Sequence, residues 1–501
     1  MGTTPTFLPQ IPYQAFLQDL SKRRKVKIYL VGGFLRDCLL GRPRLDFDFA
    51  VSKNAVALAR SFSKKIRGAF VLLDKEHGCA RVVRCTESGA SGAARSRHSL
   101  KTNGGSEKQL LTFDFADFRD KTIEKDLSHR DFTINTLAVE LKRDLSRRKL
   151  SHMLIDKKNA VKDLKSRVIR MASSTSFKED PLRLLRAFSL EAELGFQIEK
   201  KTLAAIKKHK DLIRGVSYER IRDELFKIIE TDRAAVTIRA MDRIGILERV
   251  IPQIRVMFGC TQGGYHHLDV WPHSLETLSQ LEKVLKEFEN NPEIKEYLDT
   301  PLAGERARSS ILKFAALFHD IGKPETKKKE NGRTSFHGHE RVGKNIVKHI
   351  ADLLKLSTKE KYALEDMVLW HLRPGYLGDF KNPSERAVYR YFRDTKEEGL
   401  SVLLLSLADQ RATRGPLTSA YDQKHHEEIV RGLISRYLEK KKEKPFVRLI
   451  NGNDLIRKLK LKPSPLFSKI LTAVEEKQAM GDIMTKEEAL HLSKKIASAG
   501  K

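Results

Sequence analysis

Short apolar runs dominate the beginning of the chain and helical periods dominate the rest. Ile28 to Val31 is an unbroken apolar run that reads as a buried strand, ending at Gly32-Gly33 before a helical stretch with Arg36 and Asp37. Gly41-Arg42-Pro43-Arg44 turns the chain into Leu45 to Val51, where acidic and apolar residues alternate with the period of a strand. Helices are predicted near Tyr13 to Arg23 and over Ala55 to Ile66. Strands are predicted around Ala69 to Leu73, Cys79 to Cys85 and Leu110 to Arg119. Residues 86 to 109 are rich in Gly and Ser and nearly devoid of apolar side chains, so a mobile loop between two strands is expected there. From Ile155 onward the pattern is almost wholly helical. The reading is an α+β chain, with a small mixed-sheet head over residues 1–150 and an all-α body behind it.

The strand from Leu45 carries the first candidate chemistry. Asp46 and Asp48 are two positions apart, so both carboxylates leave one face. Paired glycines after a strand let backbone N–H groups approach a ligand, and the helix N-terminus that follows favours anions. Two carboxylates beside an anion cradle suit divalent cations that hold a triphosphate. Each signal alone is ordinary: Gly-Gly usually makes only a turn, and Asp-x-Asp is usually a solvated strand face.

Taken in order, Gly-Gly-x-x-Arg-Asp, Leu-Leu-Gly and Asp-x-Asp resemble the head of the DNA polymerase β nucleotidyltransferase superfamily. The class is the one that includes CCA-adding enzymes and bacterial poly(A) polymerases. The resemblance implies a polymerase β-like head with Mg²⁺ on Asp46 and Asp48. It puts a third carboxylate at Asp114, with Asp117 as the competing candidate on the opposite strand face. SHRDFTIN (Ser128 to Asn135) resembles the family's Arg-Arg-Asp-Phe-Thr-Ile-Asn motif, with His129 replacing the first arginine. That implies a triphosphate held by Gly32, Gly33, Arg36 and Arg130, with Asp131 and Asn135 near the sugar. Ile155 to Arg170 partly matches a linker motif, keeping Asp156, Asp163-Leu164 and Arg170 but lacking its Gly-Gly. In EDPLRLLRAFSLEAELGF (Glu179 to Phe196), Pro181 suits a first helical turn, and Asp180 and Arg183 at i, i+3 share a helix face. Such a pair is ordinarily an ion pair. In the family it hydrogen-bonds the edge of the incoming base, and Arg186 follows one turn on. SYERIRDELFKII (Ser217 to Ile229) resembles the next helical motif.

A second constellation spans residues 264–420. ILKFAALFHDIGKPET is an apolar helix ending in His319-Asp320, and around it lie His273, His339, His371 and Asp409. The set resembles the HD domain of metal-dependent phosphohydrolases. It implies a first metal shell of His273, His319, Asp320 and Asp409, with His339 and His371 where fuller versions hold a second ion. Neutral imidazole and carboxylate suit Mg, Mn, Ni or Fe more than a thiolate-bound structural zinc. The implied activity is phosphomonoester or cyclic phosphodiester hydrolysis.

The chain of 501 residues carries a formal net charge of +30, which attracts polyanions without naming one. Its four scattered cysteines form no C-x-x-C pair and read as free thiols in a reducing compartment. No long apolar run or leader signal stands out, so the expectation is a cytoplasmic protein with no membrane partner. The domains expected are the head at 1–150, a base- and RNA-binding helical neck at 151–263, the HD domain at 264–420 and a basic helical tail at 421–501. In that tail Lys458, Lys460, Lys462 and Lys469 are candidates for RNA phosphates.

The function expected is Mg²⁺-dependent addition of CCA to tRNA 3′ ends from CTP and ATP. In CCA-adding relatives a longer flexible loop precedes the Arg-Arg-Asp motif, whereas here only Asp120 to Leu127 intervene. That keeps a CC-adding specialist close behind and a poly(A) polymerase third. Two readings of other classes stand against these: an HD phosphohydrolase with an inert head, and a basic RNA-binding module.

Overall fold

A computed structural model of the protein describes residues 8–9, 11–42, 45–87, 99–101, 107–142, 149–264, 266–304, 306–331, 333–378, 383–442 and 446–499. The chain forms two compact units, Met1–Ser217 and Tyr218–Lys501. The break falls inside the segment expected as the neck.

The first unit is built on one mixed sheet. Its strands are β1 (Ile28–Val31), β2 (Asp46–Val51), β3 (Ala69–Asp74), β4 (Cys79–Glu87), β5 (Ser99–Lys101), β6 (Glu107–Asp117), β7 (Leu137–Glu140) and β8 (Leu154–Asp156). The order is β3-β4-β6-β2-β1-β7-β8, with β5 paired to β6. Among the described residues of this sheet, β2 and β6 run parallel and the other ladders are antiparallel. The segment 86–109 differs from the expected loop. β4 continues to Glu87, β5 pairs with Glu107–Gln109, and β6 begins at Glu107. Ladder hydrogen bonds hold this backbone, and those need no apolar side chains. The rest of that expectation, residues 88–98 and 102–106, lies outside the described residues.

The helices of this unit are α1 (Gln14–Arg24), α2 (Gly33–Leu39), α3 (Ala55–Ile66), α4 (Ile123–Ser128), α5 (Leu150–Met153), α6 (Ala160–Lys165), α7 (Ser176–Glu179), α8 (Arg183–Leu194) and α9 (Lys200–His209). The two-residue period of β2 sorts its side chains. Phe47 and Phe49 turn to one face, where the register sets them against Phe113 and Phe115 with ring centroids 5.2 and 5.0 Å apart. α3 lays Phe62 over the same pair at 5.0 and 5.4 Å, closing an aromatic core. Asp46 and Asp48 are left on the other face. The packing that stabilises the sheet therefore also aims the acids.

α8 starts later than expected. Asp180 is extended, with φ −147 and ψ 100, and the helix begins at Arg183, so the two are not neighbours on one helix face. Pro181 is the reason: a residue before proline is driven out of the helical region. The Asp180 carboxylate accepts from the Leu182 N–H at 3.2 Å instead.

The second unit is almost entirely helical. Arg308–Phe318 and Gly399–Ala412 are buried nearly all round and form the spine of the HD region. Val270–Glu287 and Thr358–Trp370 pack against them, and His339–Leu353 packs on Thr358–Trp370. Gly322, just after His319-Asp320, is required by contact. A Cβ there would stand 2.1 Å from the His339 carbonyl and 2.5 Å from the Gly343 N. Lacking one, it lets His339–Leu353 press its N-terminus onto the His-Asp turn. Gly452–Leu459, Pro465–Ala479 and Lys486–Ala499 share a separate small core of Leu455, Ile470, Val474 and Ala489. Glu476 in this bundle accepts hydrogen bonds from Arg386 and Arg390, tying it to Glu385–Thr395.

Candidate functional site

In the head, the register puts Val31 beside Asp48 and Asp48 beside Asp114, so Asp46, Asp48 and Asp114 form an acid row. Burial pushes the Asp48 carboxyl up to about 6, with Asp114 and Asp46 adding to the rise against the opposing charge of Arg130. A crowded row of carboxylates fits divalent cations, whose charge removes the crowding. Asp46 and Asp48 stand where such a cation would be held. Asp114 is in register for a third ligand and is also gripped at both oxygens by Arg81, at 2.8 Å each. Asp117 is engaged elsewhere, since its carboxylate accepts from the Ala55 N–H at 2.8 Å and caps α3.

Gly32 has φ +73, and a Cβ on it would come 2.8 Å from Arg130 Nη1 and 3.4 Å from Asp48 Oδ2. A side chain would therefore be strained and would collide with the site. Arg130 stands over this turn, with its nearest described acidic partner, Asp126, at 3.8 Å. Arg36 is buried, and its guanidinium grips Asp37 at 2.8 and 2.9 Å and Asn135 Oδ1 at 2.9 Å. Its place is beneath the cradle, fixing Asn135. Asn135 in turn donates to Asp131 at 3.0 Å. Although Asp131 is buried, Arg186, Asn135 and the Phe132 N–H hold it down at about 2. Arg186 reaches it at 2.9 Å.

Arg183 is also buried. It donates to the His129 carbonyl at 2.6 Å and to the Ser176 hydroxyl at 3.0 Å, so these backbone and hydroxyl oxygens share the fork expected to face a base. His129 Nδ1 lies 3.4 Å from Glu179, whose carboxylate is 3.6 Å from Arg183. Thr133 donates to Asp163 at 2.6 Å, and Arg170 meets the same oxygen at 3.0 Å. These bonds tie the SHRDFTIN turn to the linker.

In the second unit all six expected ligands converge. His273 Nε2 is 2.8 Å and His319 Nε2 3.5 Å from Asp409 Oδ1. His339 and His371 Nε2 are 3.3 and 3.7 Å from Asp320 Oδ1, while His319 is 3.2 Å from its Oδ2. Asp320 thus joins two triads, His273–His319–Asp409 and Asp320–His339–His371. The Nδ1 atoms of His319, His339 and His371 lie 3.0, 2.7 and 2.7 Å from the carbonyls of Ala316, Phe336 and Val368. Those bonds make Nδ1 the donor and turn Nε2 toward the centre, as the nitrogen an ion would take. Burial opposes charge on His319, yet Asp320 and Asp409 push its pKa up to about 10, and His319 in turn keeps both carboxylates well below their usual range. His319 Nε2 therefore takes up a proton that a bound ion would displace. These residues fit one or two divalent ions, which would supply an activated water.

Sequence reasoning missed three residues at this centre. Lys323 donates to Asp320 at 2.6 Å and to Gln262 at 2.7 Å. Its place three positions after Asp320, in the IGKP turn, was the available signal. The His266 ring packs edge-on to His273 with centroids 4.8 Å apart, and burial pulls its pKa down to about 3. Only the double histidine in GYHHLD hinted at it.

Four family models match successive stretches of the chain. Residues 28–170 match the poly(A) polymerase head domain, 195–257 an RNA and SrmB binding site of polymerase A, 270–414 the HD domain and 436–493 tRNA nucleotidyltransferase domain 2. The chain is 31% identical over 468 residues to an A-adding tRNA nucleotidyltransferase of Deinococcus radiodurans, covering 92% of this chain and 93% of that one. It is 28% identical over 468 residues to a CC-adding tRNA nucleotidyltransferase of Thermus thermophilus, covering 92% and 91%. The fold matches the Thermotoga maritima CCA-adding enzyme complexed with tRNA at a TM-score of 0.57 and 23% identity, over 97% of this chain and 95% of that one. No helix among the described residues is long and apolar enough to cross a membrane.

Proposed function

The chain belongs to the tRNA nucleotidyltransferase family that joins a poly(A) polymerase head to an HD domain, and on that premise we propose that it builds CCA on tRNA 3′ ends from CTP and ATP. The observation that carries this is the acid row lying beside the Gly32 turn and Arg130. Bound to Asp46, Asp48 and Asp114, Mg²⁺ would neutralise the triphosphate and lower the barrier to attack by the RNA hydroxyl. The chain's own groups do the rest. The Gly32–Gly33 turn and Arg130 receive the triphosphate, since an open N–H turn and a guanidinium both suit phosphate oxygens. Arg36, through Asn135, holds Asp131 and the SHRDFTIN turn in place. Asp180 and Arg183 are the base-reading pair by family position. Arg183 turns to a base once it leaves the His129 carbonyl. The net charge of +30 supports tracking of an RNA backbone.

One observation favours a second reading within the family, the CC-adding specialist. The link from β6 to the motif is short and anchored, because Asp126 accepts from the Arg119 N–H at 3.0 Å and α4 fills most of it. Little chain is left to reshape the pocket from C to A. The test is extension of a tRNA transcript lacking CCA with CTP, ATP or both. Completion to CCA supports the first reading, a stop at CC the second, and addition of A only to a CC-ended transcript an A-adding specialist. Failure of every addition overturns the transferase reading. For the HD centre we propose metal-dependent hydrolysis of phosphomonoesters or cyclic phosphodiesters, tested with p-nitrophenyl phosphate and 2′,3′-cyclic nucleotides across Mg²⁺, Mn²⁺ and Ni²⁺.

A further inference from the structure

We propose that Arg81 receives the last phosphodiester of the RNA acceptor, a role that rests on the transferase reading above. Arg81 stands directly opposite Asp114 in the β4–β6 register and faces the same side of the sheet. Its Nε and Nη2 donate to the two Asp114 oxygens at 2.8 Å each. Followed across the strands, that face runs from the end of Val31 to Asp48, Asp114 and Arg81. The acid row therefore has a cation at each end, and the two ends are not alike.

At the Gly32 end, Arg130 stands over a turn whose backbone can approach an anion. This is the triphosphate end. At the other end Arg81 stands within the β4–β6 ladder, and its side chain is 44% exposed. Transfer of a nucleotidyl group is an in-line displacement, so the attacking hydroxyl and the departing pyrophosphate lie on opposite sides of the reacting phosphorus. With the triphosphate at the Gly32 end, the RNA enters from the Arg81 end. The phosphodiester one nucleotide back from its terminal hydroxyl is an anion with two free oxygens, which suits the planar fork of arginine. Asp114 fills that fork in the absence of RNA. The exchange has a purpose: a guanidinium parked on the third carboxylate offsets crowding among the acids, and its transfer to the RNA leaves Asp114 to the metal when both substrates are present.

The test uses the full-length protein and a tRNA transcript lacking CCA, with Ca²⁺ in place of Mg²⁺ so that no chemistry occurs. RNA affinity is measured by fluorescence anisotropy across a KCl series, and CTP affinity by calorimetry. Arg81→Gln should weaken RNA binding about tenfold. It should also flatten the salt dependence by roughly one counterion. Arg81→Lys should recover part of the loss, and CTP affinity should not change. The Arg81→Gln loss should vanish on a transcript also shortened by its unpaired 3′ nucleotide. Lost CTP affinity with intact RNA affinity would assign Arg81 to the triphosphate and overturn the proposal. Unchanged RNA affinity with a lowered melting temperature would reduce the pair to a ladder contact and overturn it equally. Wild-type protein that neither binds nor extends the transcript would remove the transferase reading itself, a result distinct from either.

Discussion

The acid row of the head and the histidine centre of the HD region would both hold divalent ions, yet they are assembled in opposite ways. The head's ligands lie two positions apart on β2 and one register step away on β6. Their lone pairs are crowded carboxylates balanced by arginines. The HD ligands come from His273, the 319–320 turn, His339, His371 and Asp409, far apart in the chain and joined by packing. Their Nε2 atoms are aimed in advance by carbonyls on Nδ1. The first arrangement suits ions that arrive and leave with a nucleotide, and the second suits a resident ion.

The sharpest way to break this comparison is to remove one acid from each site. We predict that Asp48→Asn lowers nucleotide addition by about 10³-fold or more, because charge balance at the reacting phosphate is the site's main contribution. Phosphatase activity of the same preparation should be untouched. Asp320→Asn should do the reverse, reducing HD metal affinity at least about 100-fold, since this carboxylate serves both triads. Metal content measured after dialysis, with extension rates beside it, checks both. A single substitution that silenced both activities would show that the centres are not independent.

Acid–base behaviour separates opposing designs within the head. The folded value of Asp48, about 6, lies above the unfolded value of about 4. Ionising it therefore costs stability as pH rises from about 4 to about 6, and the full cost persists above that. Asp131 is opposite in sign: its folded value of about 2 means that its contribution is complete above about 4 and is lost as pH falls toward 2. In metal-free protein at pH 7.5, Asp48→Asn should raise stability by about 1–2 kcal/mol, a few degrees in Tm, whereas Asp131→Asn should lower it. Mg²⁺ should shrink the Asp48 difference. A fall in Tm for metal-free Asp48→Asn would show that the carboxylate is not under the strain ascribed to it.

The same contrast explains what could be read in the chain. β1, β2, α3 and the acid pair follow from local periodicity, because one alternation both buries Phe47 and Phe49 and exposes Asp46 and Asp48. Most of the second centre was legible only through resemblance, since nothing local says that His273 meets Asp409. The rest depended on contacts between distant segments. Arg36 reads as a ligand for phosphate, and only the fold shows that its guanidinium grips Asp37 and Asn135. Arg81 carries no signal until the β4–β6 register is known. Gly322 looks like a turn residue, and its real duty is to admit the backbone of His339 and Gly343.

The smallest effect is expected at His129, where the chain departs from its family's arginine. His129 meets Glu179 at 3.4 Å with half-exposed partners, and Arg183 shares Glu179 while donating to the His129 carbonyl. A guanidinium at this position would bind Glu179 more firmly and leave Arg183 less of that carboxylate. Exposed ion pairs are worth about 0–1 kcal/mol, which caps the change at about fivefold. His129→Arg should therefore move KM for CTP or ATP by only about twofold to fivefold and leave kcat unchanged, because on the proposed reading Arg183 serves the base and not the reacting phosphate. A change in kcat with constant KM would place His129 in the chemistry and blur the line between base reading and catalysis in this head.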